Sequence, residues 1–401
     1  MKAASIPQRE NNWLKTPRIH RDPDPEKILM ISQFDGGIGV EWTNSGGSIA
    51  DDAVNYVTSN KSINIVSTNS VYTHVNKTLA ADFSTYTHFR YRFKCDDISK
   101  LTGLTFWFGT DSGYNHTYYF AFVPKDEPLA WQEIIISKDA FSVSGSPNWG
   151  SIVRTKVRVL ANANVTVNIL MDEIVAIKTE ATRASIIYSF DDGYLSQYTE
   201  ARRVLDAYKQ AGVLFMTNYA YGQSGYITPA QMLALQDAGW EIGSHTAHHL
   251  HMTTLTAGQI ENEIVANLKY FHSIGIRPSS VMAYPFGENN DTVKNVVKKY
   301  FSFARSTQTT FLNQSLPMVN RYMLKCIFLD SSITLAQAKA LSDSAVANKG
   351  ILIFACHQLG AVADGLTWGI SDFASLVAYN AALDADAGIT FNWLAQKYGG
   401  C

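Results

Sequence analysis

The sequence predicts an α/β domain preceded by an all-β domain, and three observations lead to this fold class. The chain has 401 residues, enough for about two to three domains. Residues 28–178 contain short β-type segments separated by polar turns, with no long helical period between them. From residue 179 to residue 401, strand-like segments alternate with helix-like ones, which predicts a parallel barrel or a doubly wound sheet.

Residues 1–27 are polar and interrupted by Thr16-Pro17 and by the run Asp22-Pro23-Asp24-Pro25. This composition predicts an extended arm or linker, with Trp13 as an anchor. The first ten residues lack the apolar core of a secretory signal, and no apolar run approaches the roughly 20 residues that span a bilayer. We therefore expect a soluble protein without a membrane span or a classical export signal.

The segment over 28–178 is predicted to be a β-sandwich. Phe89–Phe93 alternates apolar and polar side chains as a half-buried strand does. The other strands predicted here are Leu104–Phe108, Tyr118–Phe122, Trp131–Ile136, Val153–Leu160 and Val165–Ile177.

Parts of this β segment resemble carbohydrate-binding jelly-roll modules. The resemblance lies in Trp131-Gln132-Glu133-Ile134, Trp149 and the closing Met171-Asp172-Glu173-Ile174. Aromatic residues make up 12% of the chain, and sugar rings stack well on aromatic faces, although most such rings fill β cores. We expect either carbohydrate binding or a purely structural or assembly role.

The α/β segment is marked by helix start signals and by short apolar runs. Predicted strands are Ala184–Phe190, Val213–Tyr219, Trp240–Ser244, Ser280–Ala283, Ser302–Arg305 and Ile351–Cys356. Predicted helices are Tyr198–Gln210, one opened by Thr228-Pro229, two opened by capping boxes at Thr256 and Thr334, Asp291–Tyr300 and Ser371–Asp386.

Polar clusters follow four of these strands directly, at the position where a parallel barrel builds its active site. They are Asp191-Asp192-Gly193, His245-Thr246-Ala247-His248-His249, Tyr284-Pro285-Phe286-Gly287 and His357.

The first two clusters favour a metal site with a nearby base. If Gly193 turns the chain, one carboxylate of the Asp pair is able to hold a cation while the other moves protons; a helix N-terminus is the alternative. His245 and His249 are spaced i, i+4 and share one face if the segment is helical. Two imidazoles with one carboxylate form a common catalytic zinc set. His248 and His251 are expected to be bystanders or groove residues.

Together these residues resemble the carbohydrate esterase family 4 (NodB-homology) polysaccharide deacetylases, over roughly Ala184–Trp393. The resemblance lies in three places: Ser189-Phe190-Asp191-Asp192-Gly193, the run from His245 to Leu255 and the late strand that ends in His357. The resemblance implies a distorted (β/α) barrel, a divalent metal, usually zinc, and an acetylated polysaccharide as substrate.

The resemblance also implies roles by position. Asp191 would be the general base, His357 the general acid, and the backbone N–H of Phe286 an oxyanion donor. The metal would be held by Asp192, His245 and His249. The acetyl pocket would be lined by Tyr284, Pro285, Phe286 and Gly287.

Three positions depart from the family pattern. Ala283 stands where an arginine often braces the base, Asp330 is the nearest acid to the usual fourth motif, and Ala355 replaces a leucine before the final histidine. We expect Arg305 or Arg321 to supply the missing guanidinium from another strand end.

The function predicted is metal-dependent hydrolytic deacetylation of a polysaccharide, with an N-acetyl sugar as the expected group. The alternatives are an O-acetyl esterase on the same scaffold and an inactive glycan-binding or adhesion protein.

The net charge of −2 gives no electrostatic reason to expect binding to nucleic acid or to an anionic membrane. The four cysteines are widely scattered and do not predict a disulfide framework or a thiolate metal site. We expect the protein to act extracellularly or on a cell surface, with release by lysis or carriage on a virus particle as the routes. We expect any oligomer to form through the arm or the β domain.

Overall fold

A computed structural model describes residues 28–44, 46–56, 60–122, 131–178, 181–307, 314 and 321–398, so the predicted arm over 1–27 lies outside the described residues. The chain forms one compact unit within Pro23–Glu180 and another within Ala181–Cys401. No helix in the described part of the chain is long and apolar enough to cross a membrane.

The first unit consists of antiparallel strands in two six-stranded sheets. One sheet has the order β3-β4-β12-β6-β9 with β1 beside β12, and the other has the order β10-β8-β7-β11-β5-β2. The strands are β1 Ile28–Ser32, β2 Thr43–Asn44, β3 Ser48–Asp52, β4 Ser62–Thr68, β5 Thr73–Ala81, β6 His88–Cys95, β7 Leu101–Gly109, β8 Thr117–Phe122, β9 Gln132–Ser137, β10 Ser142–Ser144, β11 Ile152–Ala161 and β12 Thr166–Ile177.

Aromatic rings fill the space between these two sheets. Phe89 on β6 lies 4.5 Å from Phe108 on β7, and Tyr91 on β6 stacks 3.6 Å from Phe106 on β7, measured between ring centroids. Because side chains alternate along a strand, the same pattern that turns Phe106 and Phe108 inward turns Trp107 to the opposite face of β7.

The second unit is mixed α/β and is built on an eight-stranded parallel sheet. Its order is β17-β16-β15-β14-β13-β19-β18, with β22 beside β13, and a parallel sheet of this kind fits a distorted barrel. The strands are β13 Ala184–Asp191, β14 Val213–Met216, β15 Glu241–Ser244, β16 Val281–Ala283, β17 Phe303–Arg305, β18 Ile327–Phe328, β19 Ile351–Cys356 and β22 Ala385–Ala387, with β20 Gln358–Gly360 and β21 Thr367–Gly369 paired separately.

Helices connect these strands, and three of them begin with a threonine cap. In each cap the threonine hydroxyl accepts a hydrogen bond from the backbone N–H of the glutamine three residues on, and the side-chain oxygen of that glutamine accepts one from the threonine N–H. The caps are Thr228, Thr256 and Thr334. The capping boxes predicted at Thr256 and Thr334 are therefore confirmed. The helices are α1 Arg202–Ala207, α2 Pro229–Asp237, α3 Ala257–Ser273, α4 Asp291–Val297, α5 Leu335–Asn348, α6 Ile370–Ala381 and α7 Phe391–Tyr398.

Three predicted helices are longer than the observed ones, and the one predicted over Asp291–Tyr300 ends at Val297. The segment predicted as a helix over Tyr198–Gln210 begins as a π-helical turn, Gln197–Ala201, and its α-helix ends at Ala207. The helix predicted to reach Asp386 ends at Ala381, because Ala385–Ala387 pairs as a strand with the start of β13. Sheet pairing over this short stretch outweighs its local helix propensity.

We predict a pH-dependent contribution of His88 to stability. His88 is fully buried on β6, and burial lowers the pKa of this imidazole to about 4. Between the unfolded value of about 6.5 and the folded value, the unfolded state binds the proton more readily, so stability falls as the pH falls through this window. The loss approaches about 3 kcal/mol once the pH is below both values.

Urea unfolding midpoints at pH 7.5 and pH 4.5 test this expectation in the full chain and in His88→Gln. The substitution should reduce the difference between the two midpoints, whatever it does to absolute stability. An equal pH dependence in both proteins would contradict the assignment.

Candidate active site

The carboxyl ends of the central strands bring the predicted site residues to one edge of the parallel sheet. Asp191 is the last residue of β13, and His357 follows β19. These neighbouring strands pair in register at Phe190 and Cys356, so Asp191 and His357 stand at the same level of the sheet. His245 comes directly after β15, and Arg305 is the last residue of β17.

The chain turns sharply at Asp192 and Gly193, which separates the two carboxylates. Their φ angles are 68° and 81°, in the left-handed region, and the N–H of Gly193 donates to the carbonyl of Asp191 over 2.9 Å. A Cβ on Gly193 would collide with the sulfur of Met216. The next helical residues begin at Leu195, two positions beyond Gly193, so neither aspartate is the N-cap residue of a helix.

Asp192, His245 and His249 form a cluster whose donor atoms all lie within 4.8 Å of one another. The Nε2 atoms of His245 and His249 are each 3.8 Å from Oδ1 of Asp192. Two donors that share one zinc ion at about 2.0–2.2 Å each lie at most about 4.4 Å apart, so both 3.8 Å distances fit a common cation. Oδ1 of Asp192 is buried, and no hydrogen-bond donor reaches it among the described residues.

His245 is held in the tautomer that a metal requires. Its Nδ1 donates to the carbonyl of Ala283 over 2.8 Å, which leaves the lone pair of Nε2 directed at the cluster. Burial lowers the pKa of His245 to about 3 and also lowers the pKa of His249, so both imidazoles are neutral. A neutral imidazole pair with a carboxylate is a ligand set for a divalent metal.

The His245–His249 segment is a loop, so the condition under which the i, i+4 spacing would place both imidazoles on one helix face is not met. Thr246 and His249 have φ angles of 65° and 54°, which no right-handed helix contains. The backbone N–H of His249 donates to Oγ1 of Thr246 over 3.2 Å, and the two imidazole centroids end 4.7 Å apart. A turn after β15, and not a helix face, brings the two rings together.

Arg305 contacts both oxygens of Asp191. Its Nη2 donates to Oδ1 over 2.6 Å and to Oδ2 over 2.5 Å, and the whole guanidinium is buried. Arg305 pairs across strands with Ala283, the position at which an arginine was expected, so the guanidinium reaches Asp191 from the next strand. Arg321, the other candidate, has its guanidinium carbon 6.0 Å from the centre of the Phe303 ring.

The two aspartates have opposite electrostatic environments. Burial is the largest single influence on Asp191 and would raise its pKa, but the charge and hydrogen bonds of Arg305, together with His245 and His357, hold this pKa below its usual value. Burial and the charge of Asp191 raise the pKa of Asp192 above its usual value. Asp191 is therefore compensated within the protein, whereas Asp192 has no equivalent cation among the described residues and suits a bound metal.

His357 completes the cluster from β19. Its Nε2 lies 3.9 Å from Oδ2 of Asp192, and its ring stacks on Phe328 at 4.9 Å with an interplanar angle of 10°.

Gln197 is a buried site residue that sequence reasoning missed. Its Nε2 donates to the carbonyl of Asp191 over 2.5 Å and to that of His357 over 2.7 Å. The sequence gave no indication of this role for Gln197 beyond its position six residues after Asp191.

The four residues of the Tyr284–Gly287 segment differ in how far their side chains are exposed. The side chain of Tyr284 is buried in the core and donates to the carbonyl of Tyr322 over 3.0 Å, so only its backbone is available to a pocket. Pro285 is also buried, and Gly287 closes the turn by donating to the carbonyl of Tyr284 over 2.9 Å. Phe286 is 48% exposed, with a φ of 57°, and its ring lies 4.5 Å from that of His249.

His248 and His251 are outside the donor cluster. Nδ1 of His248 lies 2.7 Å from a carboxylate oxygen of Glu263, and Nδ1 of His251 lies 3.0 Å from one of Glu288. The ring of His251 also stacks on Phe286 at 4.0 Å. Both histidines surround the site, as expected for bystander or groove residues.

Comparison with known proteins gives the class of this site. Residues 178–301 match the family model for polysaccharide deacetylases. The match supports a polysaccharide deacetylase domain of the NodB-homology, or carbohydrate esterase family 4, type in this segment of the chain. Arg305, Arg321 and His357 lie beyond the matched residues.

Individual relatives share the same segment. The Bacillus subtilis protein YxkH, named as a polysaccharide deacetylase, is 30% identical over 31% of this chain and 44% of its own length. The peptidoglycan-N-acetylmuramic acid deacetylase PdaA of Bacillus subtilis is 32% identical over 29% of this chain and 43% of its own length. The matches thus span less than half of these relatives.

A similar solved structure is the Xyl-CE4 domain of a multidomain xylanase from the hindgut metagenome of Trinervitermes trinervoides. It is 17% identical, with a TM-score of 0.39, over 54% of this chain and 92% of that domain.

We predict that metal affinity depends on His249 but not on its neighbour His248. His249→Ala removes a donor atom from the cluster, and we expect zinc to bind at least 100-fold more weakly, since loss of an outer-shell partner alone costs about 10–100-fold. His248→Ala is the matched control because it removes an adjacent imidazole that contacts Glu263. Equilibrium dialysis against zinc measures both, and equal affinities would refute the ligand assignment.

Proposed function

We propose that this protein is a metal-dependent deacetylase that hydrolyses acetyl groups from a polysaccharide, with an N-acetyl sugar as the preferred substrate. The observation that carries the proposal is the donor set Asp192, His245 and His249 beside a carboxylate, Asp191, that is compensated separately by Arg305. Zinc is the proposed ion because two imidazoles and one carboxylate are a common catalytic zinc set.

A divalent cation bound by those three residues would supply Lewis acidity, which lowers the pKa of water and polarises an acyl carbonyl. Asp191 would accept the proton of the attacking water. Its lowered pKa keeps it ionised over the whole neutral range, and the contacts of Arg305 with both oxygens fix the plane of the carboxylate. Arg305 thus reduces the basicity of Asp191 but orients it.

The remaining roles fall to groups around the same edge of the sheet. The backbone N–H of Phe286 would donate to the oxygen that becomes negatively charged during attack, with Tyr284, Pro285 and Gly287 shaping the turn that presents it. His357 would give a proton to the departing sugar nitrogen. Gln197 would keep Asp191 and His357 at a fixed separation through their carbonyls.

Aromatic side chains near the cluster support a polysaccharide substrate. Tyr194 and Tyr226 stack at 4.9 Å, and Tyr219 is 38% exposed with its ring 6.4 Å from that of His249. Phe286 and His251 extend the exposed rings on the other side of His249. Sugar rings stack on such faces, and the relative PdaA is named for action on peptidoglycan.

We propose further that the chain has three parts, an arm over 1–27, a jelly-roll β-sandwich over 28–178 and a deacetylase barrel over 179–401. The β-sandwich would bind carbohydrate, and any oligomer would form through it or the arm. Since acetylated cell-surface polymers lie outside the cytoplasm, the protein would act there after lysis or as part of a virus particle.

Acetate release tests the proposed activity directly. With added zinc we expect release from N-acetylated oligosaccharides, and a chelator should abolish it. Release only from O-acetylated glycans would identify an O-acetyl esterase instead. Tight glycan binding with no release under any metal would identify an inactive glycan-binding protein.

We predict that Asp191→Asn retains zinc but loses turnover. The amide keeps the volume of the side chain but has no basic oxygen, and loss of a general base costs about 10²–10⁴ in rate. Zinc content and acetate release measured on the same sample separate the two effects. Loss of zinc together with activity would mean that Asp191 is a ligand and not the base.

We predict that Arg305→Lys slows turnover whereas Arg321→Lys does not. Lysine keeps the charge but loses the planar guanidinium, whose Nη2 contacts both oxygens of Asp191 while its Nη1 donates to the carbonyl of Ser306 and to the sulfur of Cys326. We therefore expect at least a tenfold fall in kcat, on the order of the loss of an orienting contact, with little change in zinc affinity. Arg321→Lys is the matched control. Equal activities of the two variants at saturating zinc would exclude the orienting role of Arg305.

A further inference from the structure

A row of basic side chains lies on the outer face of the second sheet of the first unit. Along β11, Arg154, Lys156 and Arg158 alternate with Thr155 and Val157, which are fully buried toward the other sheet. The period of two places all three cations on one face of a central strand.

Aromatic rings stand beside these cations. Trp107 pairs across strands with Lys156 and, on its other side, with Tyr119, whose ring stacks on it at 5.1 Å. Nζ of Lys156 lies 4.2 Å from the centre of the Trp107 ring and 4.1 Å from that of Tyr114. Arg158, two residues beyond Lys156 on β11, places a second cation on the same face of the sheet.

The guanidinium of Arg158 lies near two aromatic rings, one of them well exposed. Its carbon lies 4.4 Å from the ring of Tyr72, which is 50% exposed, and 5.2 Å from that of Trp107. We call the group Trp107, Tyr119, Lys156 and Arg158 the Trp107 face.

The Trp107 face carries positive charge that the described residues do not neutralise. The cross-strand neighbours of Lys156 and Arg158 are Trp107, Asn76, Thr105 and His74, none of them acidic. In the ranges that the structure describes, no carboxylate forms an ion pair with Lys156 or Arg158. Burial and the two neighbouring arginines lower the pKa of Lys156 to about 8, as expected for cations held together without an anion.

We propose that the Trp107 face binds an acidic polysaccharide, with a sugar ring packed beside Trp107 and Tyr119 and its anionic group on Lys156 and Arg158. Aromatic rings contact the apolar C–H groups of a pyranose, and guanidinium and ammonium groups recognise carboxylate or sulfate oxygens. The inference rests on the proposed function only in taking the ligand to be a glycan.

Charge favours a glycan over a nucleic acid as the occupant. Nucleic-acid affinity comes mainly from several phosphate contacts, and the chain as a whole carries a net charge of −2. Two cations beside two stacked rings match one charged sugar per repeat better than a continuous phosphate backbone.

Affinity electrophoresis of the full-length protein tests the proposal with polygalacturonate, dextran sulfate and neutral dextran as probes. We expect retardation by at least one anionic polymer, weakened by salt, and none by dextran. The double variant Lys156→Gln/Arg158→Gln should bind roughly tenfold more weakly or worse, since each charge-assisted contact is lost. Retention by polygalacturonate or by dextran sulfate distinguishes carboxylate from sulfate recognition.

Arg202→Gln is the matched control, because Arg202 also lies over an aromatic ring, that of Tyr198, at 5.2 Å on the other unit. It should leave retardation unchanged. Tighter retention by a single-stranded oligonucleotide, lost in the same double variant, would overturn the proposal in favour of a nucleic-acid site. Absence of retardation by both anionic polymers, or unchanged retardation in the double variant, would also overturn it.

The outcome is separable from that of the proposed function. Acetate release from short N-acetylated oligosaccharides should be unchanged in the Lys156→Gln/Arg158→Gln variant. Retardation should persist in Asp191→Asn. Failure of binding with intact acetate release therefore counts against the Trp107 face alone, and the reverse counts against the deacetylase assignment alone.

Discussion

The ion pair between Arg305 and Asp191 is the interaction on which the rest of the site depends. Two adjacent carboxylates at the end of a buried strand repel each other and lose hydration, so neither is stable there without compensation. Arg305 neutralises one of them inside the protein and leaves the other uncompensated. Removing one partner of a buried pair of this kind costs about 3–5 kcal/mol, which indicates how strongly the pair constrains its surroundings.

This division gives the two aspartates different chemistry although they are neighbours in sequence. The turn at Gly193 directs Asp192 toward His245 and His249, while Asp191 stays on the strand and meets the guanidinium. The carbonyl of Ala283 fixes the tautomer of His245, so the strand that lacks the expected arginine side chain still contributes through its backbone. A metal would thus join a site whose other charges are already paired.

The parallel sheet explains how residues more than a hundred positions apart meet. Asp191, His245, Arg305 and His357 all stand at or just beyond the carboxyl ends of strands in one sheet. Gln197 then joins the ends of two neighbouring strands through their carbonyls. In the first unit the alternation of side chains along each strand decides which residues lie together. One set of rings points into the core, and cations and other rings lie on the opposite face of the sheet.

The sequence by itself determined the residue types of the site, the strands that carry them and the capping of the helices. Asp191-Asp192-Gly193 and the histidine pair were recognisable because metal ligands and tight turns require particular side chains within a few residues. The tertiary structure alone decided that Arg305, and not Arg321, contacts Asp191, because cross-strand register with Ala283 is a long-range property. It also decided that His245 and His249 meet through a loop, that Tyr284 faces the core and that the last predicted helix ends early at a strand, since strand pairing and burial involve parts of the chain that local patterns do not connect.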